Sequence, residues 1–260
     1  MNFRRTYSIK LLTALLFLSL LTACATASTG IEEVASSEDS GEVQKEHSMS
    51  DEVHSEHHGH HGEHGHHDHR FQDPEEYAQR WNNPERHQWQ QPAEIIAAMA
   101  ITPGMTVADL GAGTGYFIPF LSHAVGEEGQ VLAVDIEEAM LEFISASAEQ
   151  EGWTNVATVL AAAETGLEEA SVDRIVTINT WHHIPNRREY SRHLATRLKD
   201  GGSVWVVDFH EESPMGPPAE HRLSPEVVIA ELEAGGFHAE LHPLRLERQY
   251  IVVATLPSSR

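Results

Sequence analysis

Residues 109–115 read Asp109-Leu110-Gly111-Ala112-Gly113-Thr114-Gly115. Alternating glycines directly after an apolar run let the backbone approach a ligand where side chains would collide. A dinucleotide fingerprint would space its glycines G-x-G-x-x-G, and Tyr116 stands where the third would fall. The spacing is instead G-x-G-x-G, with an acid two residues ahead. A second acid, Asp135, ends the next apolar run. A carboxylate there accepts hydrogen bonds from both hydroxyls of a ribose, which favours a nucleoside over a phosphate. An acid at that place also suits a helix start. Further on, Asn179-Thr180-Trp181-His182-His183 follows another apolar run. Imidazole titrates near neutrality, so His182 or His183 can serve as a base. Equally, one packs under its loop while the other faces water.

The elements that must position these residues follow from apolar periodicity and Gly/Pro punctuation. Pro92 opens a short helix that ends at Pro103-Gly104. Strands are expected over 106–110, 130–135, 156–160, 174–179 and 203–209, with helices over 116–125 and 138–151 between the early ones. Pro119 sits awkwardly near the first turn of the 116–125 helix. Asn186, with Glu189 in the capping-box position, starts a further helix. Ser224-Pro225 starts the last, which ends at Gly235-Gly236. Strands over 237–243 and 249–256 are joined too closely to be parallel. Strands alternating with helices make an α/β fold, a doubly wound and mostly parallel sheet with an antiparallel last strand. Such sheets bind ligands at the carboxyl ends of their strands.

Acid, glycine spacing and strand order together resemble the class I, Rossmann-like methyltransferases, over roughly residues 92–256. The resemblance implies S-adenosylmethionine as cofactor. It puts Gly111 and Gly113 along the methionine and ribose portions, and Asp109 in ordering the loop. Ala112, Gly115, Asp135, Ile136 and Asn179 join that cofactor-facing set. Ala163 and Glu164 fall where the family sets a segment against the adenine, although its usual acid lies one position earlier, at Ala162. Asp173-Arg174-Ile175-Val176, residues 198–202 and residues 231–237 resemble later landmarks of the fold. No Asn-Pro-Pro-Tyr sequence follows the fourth strand, which disfavours nucleic-acid or glutamine-amide methylation. The single cysteine disfavours thiol-based metalloid methylation.

The first 70 of the 260 residues cannot supply a core, whereas the rest can bury one without disulfides or metal. Arg4, Arg5 and Lys10 precede an apolar run ending in Leu21-Thr22-Ala23-Cys24, an order that makes a secretory signal too short to span a membrane. Its ending resembles the bacterial lipoprotein signal. That implies cleavage of residues 1–23, lipid on Cys24, and a membrane-anchored protein of the periplasm or outer face of the envelope. Residues 24–69 form a polar leader expected to stay disordered. It contains His57, His58, His60, His61, His64, His66, His67 and His69 among glycines and acids. Imidazoles on such a flexible tract can bind Zn, Ni or Cu in several ways, without a fixed site. The plainer alternative is a solvated spacer. Residues 70–91 carry Phe71, Tyr77, Trp81 and Trp89, either as a lid over the cofactor or as an anchor to the core.

A formal charge of −23 disfavours nucleic-acid binding, which needs a basic face. The expected function is therefore methyl transfer to a small-molecule acceptor. A lipoprotein, however, sits outside the cytoplasm, where this donor is not normally made. The competing expectation is a non-catalytic, metal-buffering lipoprotein whose α/β domain only binds its ligand.

Overall fold

The computed structural model describes residues 73–162 and 164–257. Three short helices come first: α1 (Pro74–Trp81), α2 (Arg86–Gln90) and α3 (Pro92–Ala98). Then β1 (Thr106–Leu110), α4 (Ile118–Val125), β2 (Gln130–Asp135), α5 (Glu138–Glu151) and β3 (Val156–Leu160) alternate. β4 (Val172–Ile178), α6 (Arg187–Arg197), β5 (Leu198–Phe209), α7 (Pro225–Ala234), β6 (His238–Leu241) and β7 (Gln249–Thr255) complete the order. The seven strands form one sheet in the order β3-β2-β1-β4-β5-β7-β6. β1 to β5 are parallel, and β7 runs antiparallel between β5 and β6. The doubly wound α/β fold expected from the sequence is the one observed.

Successive strand residues point to opposite faces of a sheet, and the core divides accordingly. Val107, Val131, Val176 and Val207 pack with Ile95 of α3, Leu121 of α4 and Ile144 of α5. Ala108, Val134, Ile175 and Val206 pack on the other face with Leu194 of α6 and Leu232 of α7. Trp181, fully buried on that second face, donates its indole N–H to Glu231 Oε2 at 2.9 Å and so ties the turn after β4 to α7. By the same alternation, Asp109 and Asp135 share the α3–α4 face, whereas Asp208 shares the α6–α7 face.

Three expectations need correcting. α4 begins at Ile118 rather than Tyr116, because the loop continues through Phe117 and Pro119 then occupies the first turn, where a missing N–H costs nothing. Asn186 forms no side-chain cap: at φ 49° and ψ 40° its backbone is left-handed, not extended as a capping residue requires. Glu189 N–H instead bonds Asn186 C=O at 2.8 Å. β5 starts at Leu198, paired with Val172, and bulges before Ser203 pairs with Arg174.

Candidate active site

Three strands carry an acid at or next to their carboxyl ends: β2 at Asp135, and β1 at Asp109 and β5 at Asp208, each one residue short of the end. The glycine loop leaves β1 between them. Gly111 N–H and Ala112 N–H both donate to Val134 C=O, at 2.8 and 3.0 Å, which bends the loop over the end of β2. Gly111 has φ 76°, and any side chain there would collide with Thr180 from the turn after β4. Gly113 N–H donates to Asp135 Oδ2 at 2.8 Å, while Asp135 Oδ1 accepts from Glu137 N–H at 3.0 Å. The loop and the acid expected to serve one ligand are therefore in direct contact. Ile136, next in the chain, is 67 % exposed beside them.

Asp109 is buried, and burial pushes its carboxyl up to about 7, with the Asp135 charge adding to the effect. Arg86 of α2 opposes it. Its guanidinium lies 4.0 Å over the Tyr116 ring and donates to Trp81 C=O and Gln90 Oε1. Burial lowers this arginine to about 10, yet it stays charged at neutral pH. The Tyr116 hydroxyl beneath it is buried without a hydrogen-bond partner. Sequence reasoning missed Arg86, whose short helix shows no apolar period.

The segment before α3 lies on this edge. The Trp81 ring sits 3.5 Å from where a Cβ on Gly113 would stand, and Asn82 bonds Thr114 through both its oxygen and its nitrogen. Trp89 faces Phe209 at 6.0 Å, with Arg248 5.5 Å from its ring. Gln90 donates to Gln249, which in turn donates to Asn179, so α2 reaches the turn after β4. Residues 73–91 thus anchor to the core and cover the loop at once. A cavity of about 340 Å³ lies behind them, but it is lined by residues of α4 and α5 and touches only Thr114, Gly115 and Tyr116 of the loop.

The remaining candidates separate. His182 is buried against Asp208, its Nδ1 at 3.0 and 2.9 Å from the two carboxylate oxygens. His183 is exposed, with its ring 4.1 Å from that of His182. Asp208 was missed, though it announces itself as Asp109 does, one residue short of the end of an apolar strand. The Glu164 carboxylate turns toward His193 of α6, 3.7 Å away. Ala163, Cys24 and the tract His57, His58, His60, His61, His64, His66, His67 and His69 lie outside the described residues. Among the described residues, no group of three or more His, Cys, Asp or Glu is placed to hold a metal ion.

A parallel sheet with an antiparallel β7, a glycine loop after β1 and an acid ending β2 are features shared with class I methyltransferase domains. Residues 107–202 match a family described as a methyltransferase domain. The ubiquinone/menaquinone biosynthesis C-methyltransferase UbiE of Shewanella frigidimarina is 33 % identical over 116 residues, which cover 44 % of this chain and 46 % of the relative. The chain thus spans about half the length of the curated relatives it matches. Among solved structures, an S-adenosylmethionine-dependent methyltransferase from Aquifex aeolicus superposes with a TM-score of 0.65 at 26 % identity, covering 70 % of this chain and 97 % of that one. The [4+2]-cyclase SpnF, at 14 % identity and a TM-score of 0.55 over 65 % of this chain and 81 % of its own, shares the fold alone.

Proposed function

We propose that the chain binds S-adenosylmethionine across the carboxyl ends of β1 and β2 and transfers its methyl group to a small-molecule acceptor. Asp135 carries this reading. Each of its oxygens accepts one backbone N–H. A carboxylate offers about four lone-pair sites, so each oxygen keeps one for a ribose hydroxyl. Exposed Ile136 gives the adenine an apolar face, and the backbone groups of Ala161 and Ala162 its polar contacts, since Glu164 points away. Gly111, Ala112, Gly113 and Gly115 admit the methionine and ribose portions. Asp109 and Arg86 present an anion and a cation toward the ammonium and carboxylate of the methionine part. Asn179 closes the cofactor-facing set at the turn after β4. Transfer from a sulfonium is an in-line displacement, so alignment supplies much of the acceleration. The curated relatives are named as C-methyltransferases, which adds carbon to the acceptor atoms to be assayed. Titrating S-adenosylmethionine into the full chain should release saturable heat. No heat at millimolar ligand would end this reading.

We further propose, from the sequence, that Cys24 is lipidated and holds the protein on the periplasmic or outer face of the envelope. The order of basic, apolar and small residues before it supports this. Mass spectrometry of membrane-extracted protein should find an acylated peptide beginning at Cys24, and an unmodified Met1 peptide from soluble protein would refute it. The histidine tract then serves as a loose sink for Zn, Ni or Cu, independent of the cofactor site. Deleting residues 47–69 should abolish most metal binding and leave cofactor affinity unchanged.

A further inference from the structure

Asp208 and His182 have no part in holding the methyl donor, yet they stand on the same edge as the groups that do. Asp208 is the penultimate residue of β5, and His182 belongs to the 3₁₀ turn Trp181–His183 that leaves β4. Thr180, just before that turn, packs directly on Gly111. Both side chains are 3 % exposed. The carboxylate also accepts Phe209 N–H at 2.8 Å, so its orientation is fixed. An ionised carboxylate only accepts hydrogen bonds, so the contact puts the imidazole proton on Nδ1 and the lone pair on Nε2. A histidine oriented by a buried acid in this way is built to take a proton and to stabilise the resulting imidazolium.

Phe209, the next residue in the chain after Asp208, turns to the opposite face of the sheet, where it forms a ring pair with Trp89. The other titratable groups around the pair are His183 against the His182 ring and, beyond Asp208, Tyr250 of β7 with His210.

We propose, resting on the donor reading above, that His182 is the catalytic base, positioned by Asp208, for an acceptor with an acidic hydroxyl. Nε2 takes the hydroxyl proton while the electron-rich acceptor attacks the donor's methyl carbon. The sulfur–methyl bond breaks, its electron pair stays on sulfur, and the donor leaves as a neutral thioether. The imidazolium, held by the Asp208 carboxylate, then returns its proton to water.

The probe is 4-nitrophenol, whose phenolate absorbs visible light, added to the full chain saturated with S-adenosylhomocysteine. The wild type should bind it as phenolate at least one pH unit below the midpoint in free solution. His182→Gln should abolish that shift, and Asp208→Asn should move it back by about tenfold in proton concentration. Binding of S-adenosylhomocysteine by each variant reports that it is folded, and the wild-type pH profile stands whether or not the variants fold. Probe bound only as the neutral phenol, probe not bound at millimolar concentration, or equal ionisation by folded His182→Gln would overturn the assignment. A wild type that fails to bind S-adenosylhomocysteine would instead overturn the donor reading.

Discussion

At the amino edge of the sheet, Asp173 accepts Thr106 N–H at 2.8 Å and pairs with Lys199 Nζ at 2.7 Å. Burial alone would raise its carboxyl, but those two hydrogen bonds and the Lys199 and Arg174 charges hold it below the usual range. At the carboxyl edge the balance reverses. Asp109 is pushed up to about 7, and its nearest opposing charge, Arg86, comes from a helix outside the sheet. One edge pairs its acid within the fold. The other keeps Asp109 buried with its charge only partly offset by Arg86, and leaves Asp135 room for further hydrogen bonds. On the proposed function, that contrast separates an acid that stabilises the domain from acids that bind its ligand.

The largest break in the contrast is expected at Asp135. Asp135→Ala should weaken S-adenosylmethionine binding by about 1–3 kcal/mol, through loss of buried, charge-assisted contacts. Calorimetry would measure it, and an unchanged affinity would remove Asp135 from the ribose site. Arg86→Gln should cost about tenfold in affinity for the same ligand, the scale of one charged hydrogen bond. It should leave 5′-methylthioadenosine, which has no carboxylate, within about twofold. Equal losses for both ligands would make Arg86 merely a prop for the loop.

Asp109 sharpens the comparison through pH. Its folded pKa lies above the ordinary 3.8. The stability linked to its protonation is therefore complete below that value and lost as pH rises through about 7. A bound ammonium and sulfonium favour the ionised acid, so donor affinity should rise between pH 5.5 and 7.5 with release of a proton. Asp109→Asn should flatten that profile, and a profile unaffected by the substitution would show that another group titrates. The smallest effect belongs to the amino edge. Lys199→Met should lower stability by up to about 1 kcal/mol, as for a partly exposed pair, and leave donor affinity unchanged. Thermal unfolding and titration together would check both halves.

Much of this arrangement was legible in the sequence because local rules and tertiary packing agree there. β1, β2 and α5 fall on their expected residues, each bounded by glycine or an acid, and β3 falls on its own as well. The glycine loop and Asp135 meet as their spacing implies. Arg86 was not legible, since a five-residue helix carries no periodic signal and its place depends on Tyr116, thirty residues away. Nor was the His182–Asp208 pair, because its members lie on neighbouring strand ends that only the sheet brings together. Asn186 shows the opposite failure. Its residue type fits a cap, but a left-handed backbone turns it out of use.

The most direct measurement of the account is a crystal structure of the full chain with S-adenosylhomocysteine. It should place both ribose hydroxyls on Asp135, the adenine against Ile136, and the amino-acid end between Asp109 and Arg86. A ligand seated instead in the cavity between α4 and α5, with Asp135 still bound only to Gly113 and Glu137, would contradict it.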